Sequence, residues 1–137
     1  MSKVLLLRTC SVDMRSHGGF QWPAEVGAIV TAPDWSAEPV CGHGLHGLLW
    51  GEGDASLLSS DPTAHWLVVE ADEATAVDLA GKAKVPACTV VFVGARDEAI
   101  AYMSARAPGR AIVFGTATAG YAGTATTGAR GTATTGA

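Results

Sequence analysis

What this chain lacks narrows it before anything it contains. No apolar run approaches the roughly 18–20 residues that a membrane-spanning helix needs. The apolar run at residues 4–7 meets Arg8 too early to be the ~7–15-residue core of an export signal, so the expectation is a cytoplasmic protein with no membrane partner. Positive charge is scarce. Nine Lys and Arg stand against 13 Asp and Glu, a net charge of −4, and such a chain lacks the clustered cations that a nucleic-acid backbone requires. Cysteine is rare as well: Cys10, Cys41 and Cys88 cannot all pair with one another, and reduced thiols are expected. No standard catalytic signature is present, so the expectation is a non-enzymatic protein with no cofactor.

Glycine, in contrast, is plentiful, with 17 residues, and its distribution divides the chain. Residues 115–137 read GTATAGYA, GTATTGAR and GTATTGA, two full octads and a third one residue short. A fixed period marks repeat architectures in which no unit buries its own face alone. In an extended segment alternate side chains share a face, so Thr116 with Thr118, Thr124 with Thr126, and Thr132 with Thr134 form one side and the intervening alanines the other. The pattern predicts a β-solenoid segment over residues 115–137 with threonines outward, launched from a head at residues 1–114. The plainer reading of this composition is a flexible linker, but strict Thr-Ala-Thr phasing exceeds what a linker needs. Alanine methyls contribute little burial, so the repeats need the head as a cap and a second copy or further repeats beyond. Self-association through the repeats follows as an expectation. Threonines in Thr-x-Thr spacing can also match a regular surface such as ice.

The head reads as an α+β domain with a small mixed sheet. Strands are expected over residues 3–9, 27–31, 65–71 and 89–93, where Val, Leu, Ile and aromatic residues concentrate, with an edge strand over 76–79. A short helix fits residues 54–60, and a longer one fits 97–107, where Ala99, Ile100, Met103 and Ala107 recur at helical spacing behind Asp97 and Glu98. Residues 81–86 read as a basic loop. Residues 110–114 read as a last strand running into the first octad.

Two constellations are candidates for chemistry. Cys41, His43 and His46 place three soft or borderline metal ligands within six residues, although the spacing matches no strong zinc pattern, and local backbone contacts account for them as well. Arg8 with His46 and Glu70 is the set that a phosphate-bearing nucleotide would need, in the manner of an ADP-ribosyl-transferring or hydrolytic fold. An enzyme or metal site around Cys41 and His46 is therefore the alternative to a structural protein.

The segment from Gly19 through Phe20, Gln21 and Trp22 to Pro23, the run from Cys41 to His46 and the strand around Trp66 to Glu70 together resemble an uncharacterised N-terminal domain of phage and bacterial proteins. In that family a Gly-Phe-Gln segment precedes a Cys-x-x-Gly-(Phe/Leu)-His motif, and Gly/Ala/Ser/Thr octapeptide repeats follow. The resemblance covers most of residues 1–114 and the style of the tail. It implies a head followed by repeats and transfers no activity.

Overall fold

The computed structural model describes residues 2–16, 19–115, 127–128 and 131–132. Seven strands form one sheet: β1 (Lys3–Cys10), β2 (Ile29–Thr31), β3 (Leu45–Leu49), β4 (His65–Asp72), β5 (Val77–Asp78), β6 (Ala83–Val85) and β7 (Ala87–Gly94). Their spatial order is β2-β7-β4-β1-β3-β6-β5, and every neighbouring pair is antiparallel. One helix, α1 (Arg96–Arg106), follows the last strand. This corrects the expected mixed-sheet α+β head. A parallel pair needs a crossover, usually through a helix, and here the only α-helix among the described residues comes after β7.

The centre of the sheet is buried on both faces, which is why β1 reads as the continuous run Val4 to Leu7 rather than as an alternation. On one face, Leu5, Leu7, Leu48, Trp66 and Val68 meet Ala99, Ile100 and Met103 of α1. On the other, Val4, Leu6, Val69, Val85 and Val90 pack with Met14 and Trp22 from the loop after β1 and with Trp35 from the loop after β2. Gly47 has no side chain for a close reason: a Cβ there would lie 2.9 Å from the Leu6 Cβ on the neighbouring strand.

Residues 81–86 are not a basic loop. They contain β6, and Lys84 within it is fully buried, its stem under Trp35 and its ammonium donating to the Gly42 carbonyl at 3.1 Å. Residues 54–60 hold only a single 3-10 turn, Ala55–Leu57, with Asp54 accepting from the Ser56 N–H. Residues 110–114 form no strand. Ile112 and Val113 instead plug the α1 side of the core, the Val113 N–H donates to the Gly51 carbonyl, and the Gly115 N–H closes a turn onto Ile112.

In the repeat region the described residues show one short antiparallel pair, β8 (Thr127–Gly128) with β9 (Gly131–Thr132). A stacked solenoid would set residues of successive octads side by side in parallel; the observed pairing folds Thr127 back against Thr132, and the expected solenoid is not found among the described residues. The Thr132 backbone lies in β9, whereas Thr116, Thr118, Thr124, Thr126 and Thr134 lie outside the described residues.

Candidate functional site

The sequence motif from Cys41 to His46 runs from a loop into β3. Leu45, His46 and Gly47 pair with Val85, Lys84 and Ala83 of β6, so His46 and Lys84 are direct cross-strand neighbours. The preceding loop folds back over this pair. Gly42 donates its N–H to Nε2 of His46 at 3.2 Å while its carbonyl accepts from Lys84 Nζ. Lys82, two residues from Lys84, donates from Nζ to the Cys41 Sγ at 2.9 Å. His43 adopts φ +56 and lies 3.5 Å from the Asp34 carboxylate on the surface.

This geometry fixes the electrostatics. Burial, followed by the charges of Lys82, Arg8 and Lys84 and opposed by Asp34, pushes His46 down to about 4. The ring is therefore neutral near pH 7, with its Nε2 lone pair engaged by Gly42. The Lys82 hydrogen bond draws the exposed Cys41 thiol below its ordinary range, with Gly42 and Lys84 adding to the effect. Cys41, His43 and His46 each face a different partner, and among the described residues no group of three or more His, Cys, Asp or Glu is arranged to hold a metal.

Arg8 lies on the opposite side of the sheet from α1, on the same face of β1 as Leu6 and Cys10. Its Nη1 donates to the His46 carbonyl at 2.6 Å and its Nη2 to the Thr9 carbonyl at 3.2 Å, and its guanidinium lies 4.2 Å from the centre of the Trp22 ring. Glu70 pairs with Leu5, which faces α1, so its side chain projects from the other face. Arg8 and Glu70 thus do not share a pocket.

Two residues were missed as partners of the motif, Lys82 and Lys84. Their Lys-x-Lys spacing places both on one side of a strand, and this was the available signal. A groove of about 780 Å³ was also not foreseen. It runs between residues 55–62 and the start of α1 and is also lined by Phe114, the residue before the first octad. Phe114 lies edge-on to Trp66 at 6.0 Å with the Arg96 guanidinium 5.4 Å from its ring, and it holds φ +59, a left-handed conformation costly for a non-glycine residue.

The fold and these contacts define a small antiparallel-sheet module whose polar motif is occupied by its own loop contacts. Residues 4–101 match the family model described as Domain of unknown function (DUF7666), and the chain belongs to that family. It is 42% identical over 105 residues to the ice nucleation protein InaU of Pantoea ananas, covering 74% of this chain and 10% of that protein. An ice nucleation protein of Xanthomonas campestris pv. translucens is 38% identical over 110 residues, covering 79% of this chain and 7% of the relative. One from Pseudomonas syringae is 39% identical over 108 residues, covering 77% and 9%. The chain therefore spans a tenth or less of the length of these relatives. No solved structure matches it. The family match fits the uncharacterised domain that the sequence resembles; the relatives named here are bacterial ice nucleation proteins rather than phage proteins. Among the described residues no helix is long and apolar enough to cross a membrane.

Proposed function

We propose that the chain is part of an ice-interacting protein, in which a folded domain at residues 1–114 carries Thr-Ala-Thr octads at residues 115–137 that meet ice. The observation that carries this reading is the similarity to ice nucleation proteins over about three quarters of the chain, on a sequence that continues into Thr-x-Thr repeats. In extended backbone, alternate residues share a side at a spacing of about 6.7 Å, so Thr116 with Thr118 and Thr124 with Thr126 present hydroxyl and methyl groups at a regular interval. A low density of charge suits such a surface: Arg130 is the one charged residue in the octads.

The role of the domain is to anchor the start of the octads. Ile112 and Val113 are packed in the core, and Phe114 is held by Trp66 and Arg96 immediately before the first repeat. Cys41, His43, His46 and Arg8 serve this domain structurally, locking the loop over β3 and β6. Ice recrystallisation in the presence of the full chain, compared with Thr124→Lys/Thr126→Lys, tests the reading: crystals stay small with the parent chain and coarsen with the variant.

A second role, assembly through the repeats, is favoured by their neutral, low-charge composition. Its test is molar mass across a concentration series for the intact chain and for a chain ending at Phe114. Growth confined to the intact chain supports assembly through the octads.

A further inference from the structure

The two edges of the seven-stranded sheet are built differently. The β5 edge has two residues, one of them Asp78, and a charge on a short edge is a common guard against pairing with another chain. The β2 edge, Ile29-Val30-Thr31, carries no charge, proline or bulge. Among the described residues nothing pairs with its outer side.

The hydrogen bonding shows which groups are free there. The Ala28 carbonyl accepts from the Val90 N–H, and the Ala32 N–H donates to the Pro86 carbonyl, so residues 28, 30 and 32 point inward to β7. By the alternation of an antiparallel ladder, the N–H and C=O groups of Ile29 and Thr31 point outward. The side chains reinforce this asymmetry. Val30 is in the core at 5% exposure, while Ile29 is 76% exposed and Val26, three residues earlier in the chain, 63% exposed. An uncharged edge with a large bare aliphatic and outward-facing backbone groups is an unfinished ladder.

We propose that β2 is the pairing edge for a second copy of this chain, the two β2 strands aligning antiparallel about Val30. The outward groups are self-complementary under a two-fold axis. Ile29 falls opposite the partner's Thr31 and Thr31 opposite the partner's Ile29, and each such pair exchanges both of its N–H···O=C bonds. Val30 then faces its own equivalent across the axis. Ile29 covers the partner's Thr31 methyl on the same face, which removes the most exposed large apolar side chain among the described residues from water. The carboxylates nearest in sequence, Glu25 and Asp34, lie outside the paired residues 29–31. This surface is formed by residues outside the octads.

The test uses the full chain with Cys41→Ser, which removes the exposed native thiol. Ile29→Cys and Thr31→Cys are introduced separately, and opposed Cα atoms at about 5.5 Å in a hydrogen-bonded pair lie within disulfide range. Under mild oxidation the 1:1 mixture gives a dimer linked between positions 29 and 31, and neither variant alone gives that linkage. In a concentration series of the native chain, Ile29→Lys weakens dimerisation about tenfold or more while leaving circular dichroism unchanged. A native chain that is monomeric throughout, association unaffected by Ile29→Lys, or a mixture without the 29–31 linkage overturns the proposal. Association lost only on removing residues 115–137 and indifferent to Ile29→Lys assigns the interface to the octads and also overturns it.

Discussion

The guanidinium of Arg8 lies 4.2 Å from the centre of the Trp22 ring, and Nε of Arg8 and Nε1 of Trp22 are both buried without a hydrogen-bond partner among the described residues. Among the described residues no carboxylate forms an ion pair with Arg8, and burial holds it below its ordinary range against the opposing influence of Cys10 and Cys88. The carbonyls of His46 and Thr9, the ring and the neighbouring Cys10 thiol stabilise it, and it ties the loop carrying Trp22 to the junction of β1 and β3.

Arg8→Ala removes the ring contact and leaves the His46 carbonyl without its side-chain donor, and should lower stability by about 2–4 kcal/mol. Arg8→Lys keeps the charge but loses the fork that reaches two carbonyls, and should fall between the two. Urea unfolding followed by tryptophan fluorescence measures both. An unchanged midpoint in Arg8→Ala contradicts this role.

His46 makes the fold sensitive to mild acid. Its folded value of about 4 lies below the ordinary 6.5, so between these limits the unfolded chain binds the proton that the folded one refuses. Stability from this residue is complete above about pH 6.5 and is lost as pH falls towards 4. His46→Gln offers Gly42 an acceptor that does not titrate, and should flatten the stability profile across that window. Losses below it, where the lowered carboxyls of Asp13, Asp54 and Asp61 take up protons, should remain.

The three thiols should separate by reactivity. Cys41 is exposed and its thiol is drawn below its ordinary range by the Lys82 hydrogen bond, whereas Cys10 and Cys88 are buried and pushed up, Cys88 to about 12. Iodoacetamide at pH 7.5 should label Cys41 first by mass spectrometry, and Lys82→Met should slow that labelling by about 3- to 10-fold. Equal rates in the variant would show that Lys82 does not activate the thiol.

Gly53→Ala should be among the most damaging small substitutions. A Cβ there would lie 2.3 Å from the Gly81 carbonyl oxygen, at φ +127. Neither the backbone contact nor the conformation admits a side chain, and a loss of about 2–4 kcal/mol should appear as a lower thermal midpoint.

Much of the sheet is legible in the residues themselves. Trp66 to Val69 and Thr89 to Val93 are aromatic and β-branched, and both are strands; the spacing of Ala99, Ile100 and Met103 marks the buried face of α1. Lys84 was not legible, because its burial depends on Trp35 arriving from a loop some fifty residues earlier, and a lysine pattern read locally describes solvent. Residues 110–114 mislead for a related reason. Ala111 to Phe114 have the composition of a strand, but their backbone partner is the turn at Gly51, so the apolar side chains fill a core instead of extending a ladder. The strand order is set by long-range pairing that no local pattern records. In the candidate site the motif was visible while its role was not: His46 reads as a ligand, and only the returning Gly42 N–H shows its lone pair already engaged.

The central claim is that the octad threonines meet ice and that the folded domain anchors them. The most direct measurement is the ice recrystallisation rate in the presence of the full chain, of Thr124→Lys/Thr126→Lys, and of Arg8→Lys, at equal concentration and below the midpoint of unfolding for each. The account predicts slow coarsening with the full chain and with Arg8→Lys, and coarsening at the rate of buffer with the threonine variant. Equal rates for the full chain and the threonine variant would contradict it.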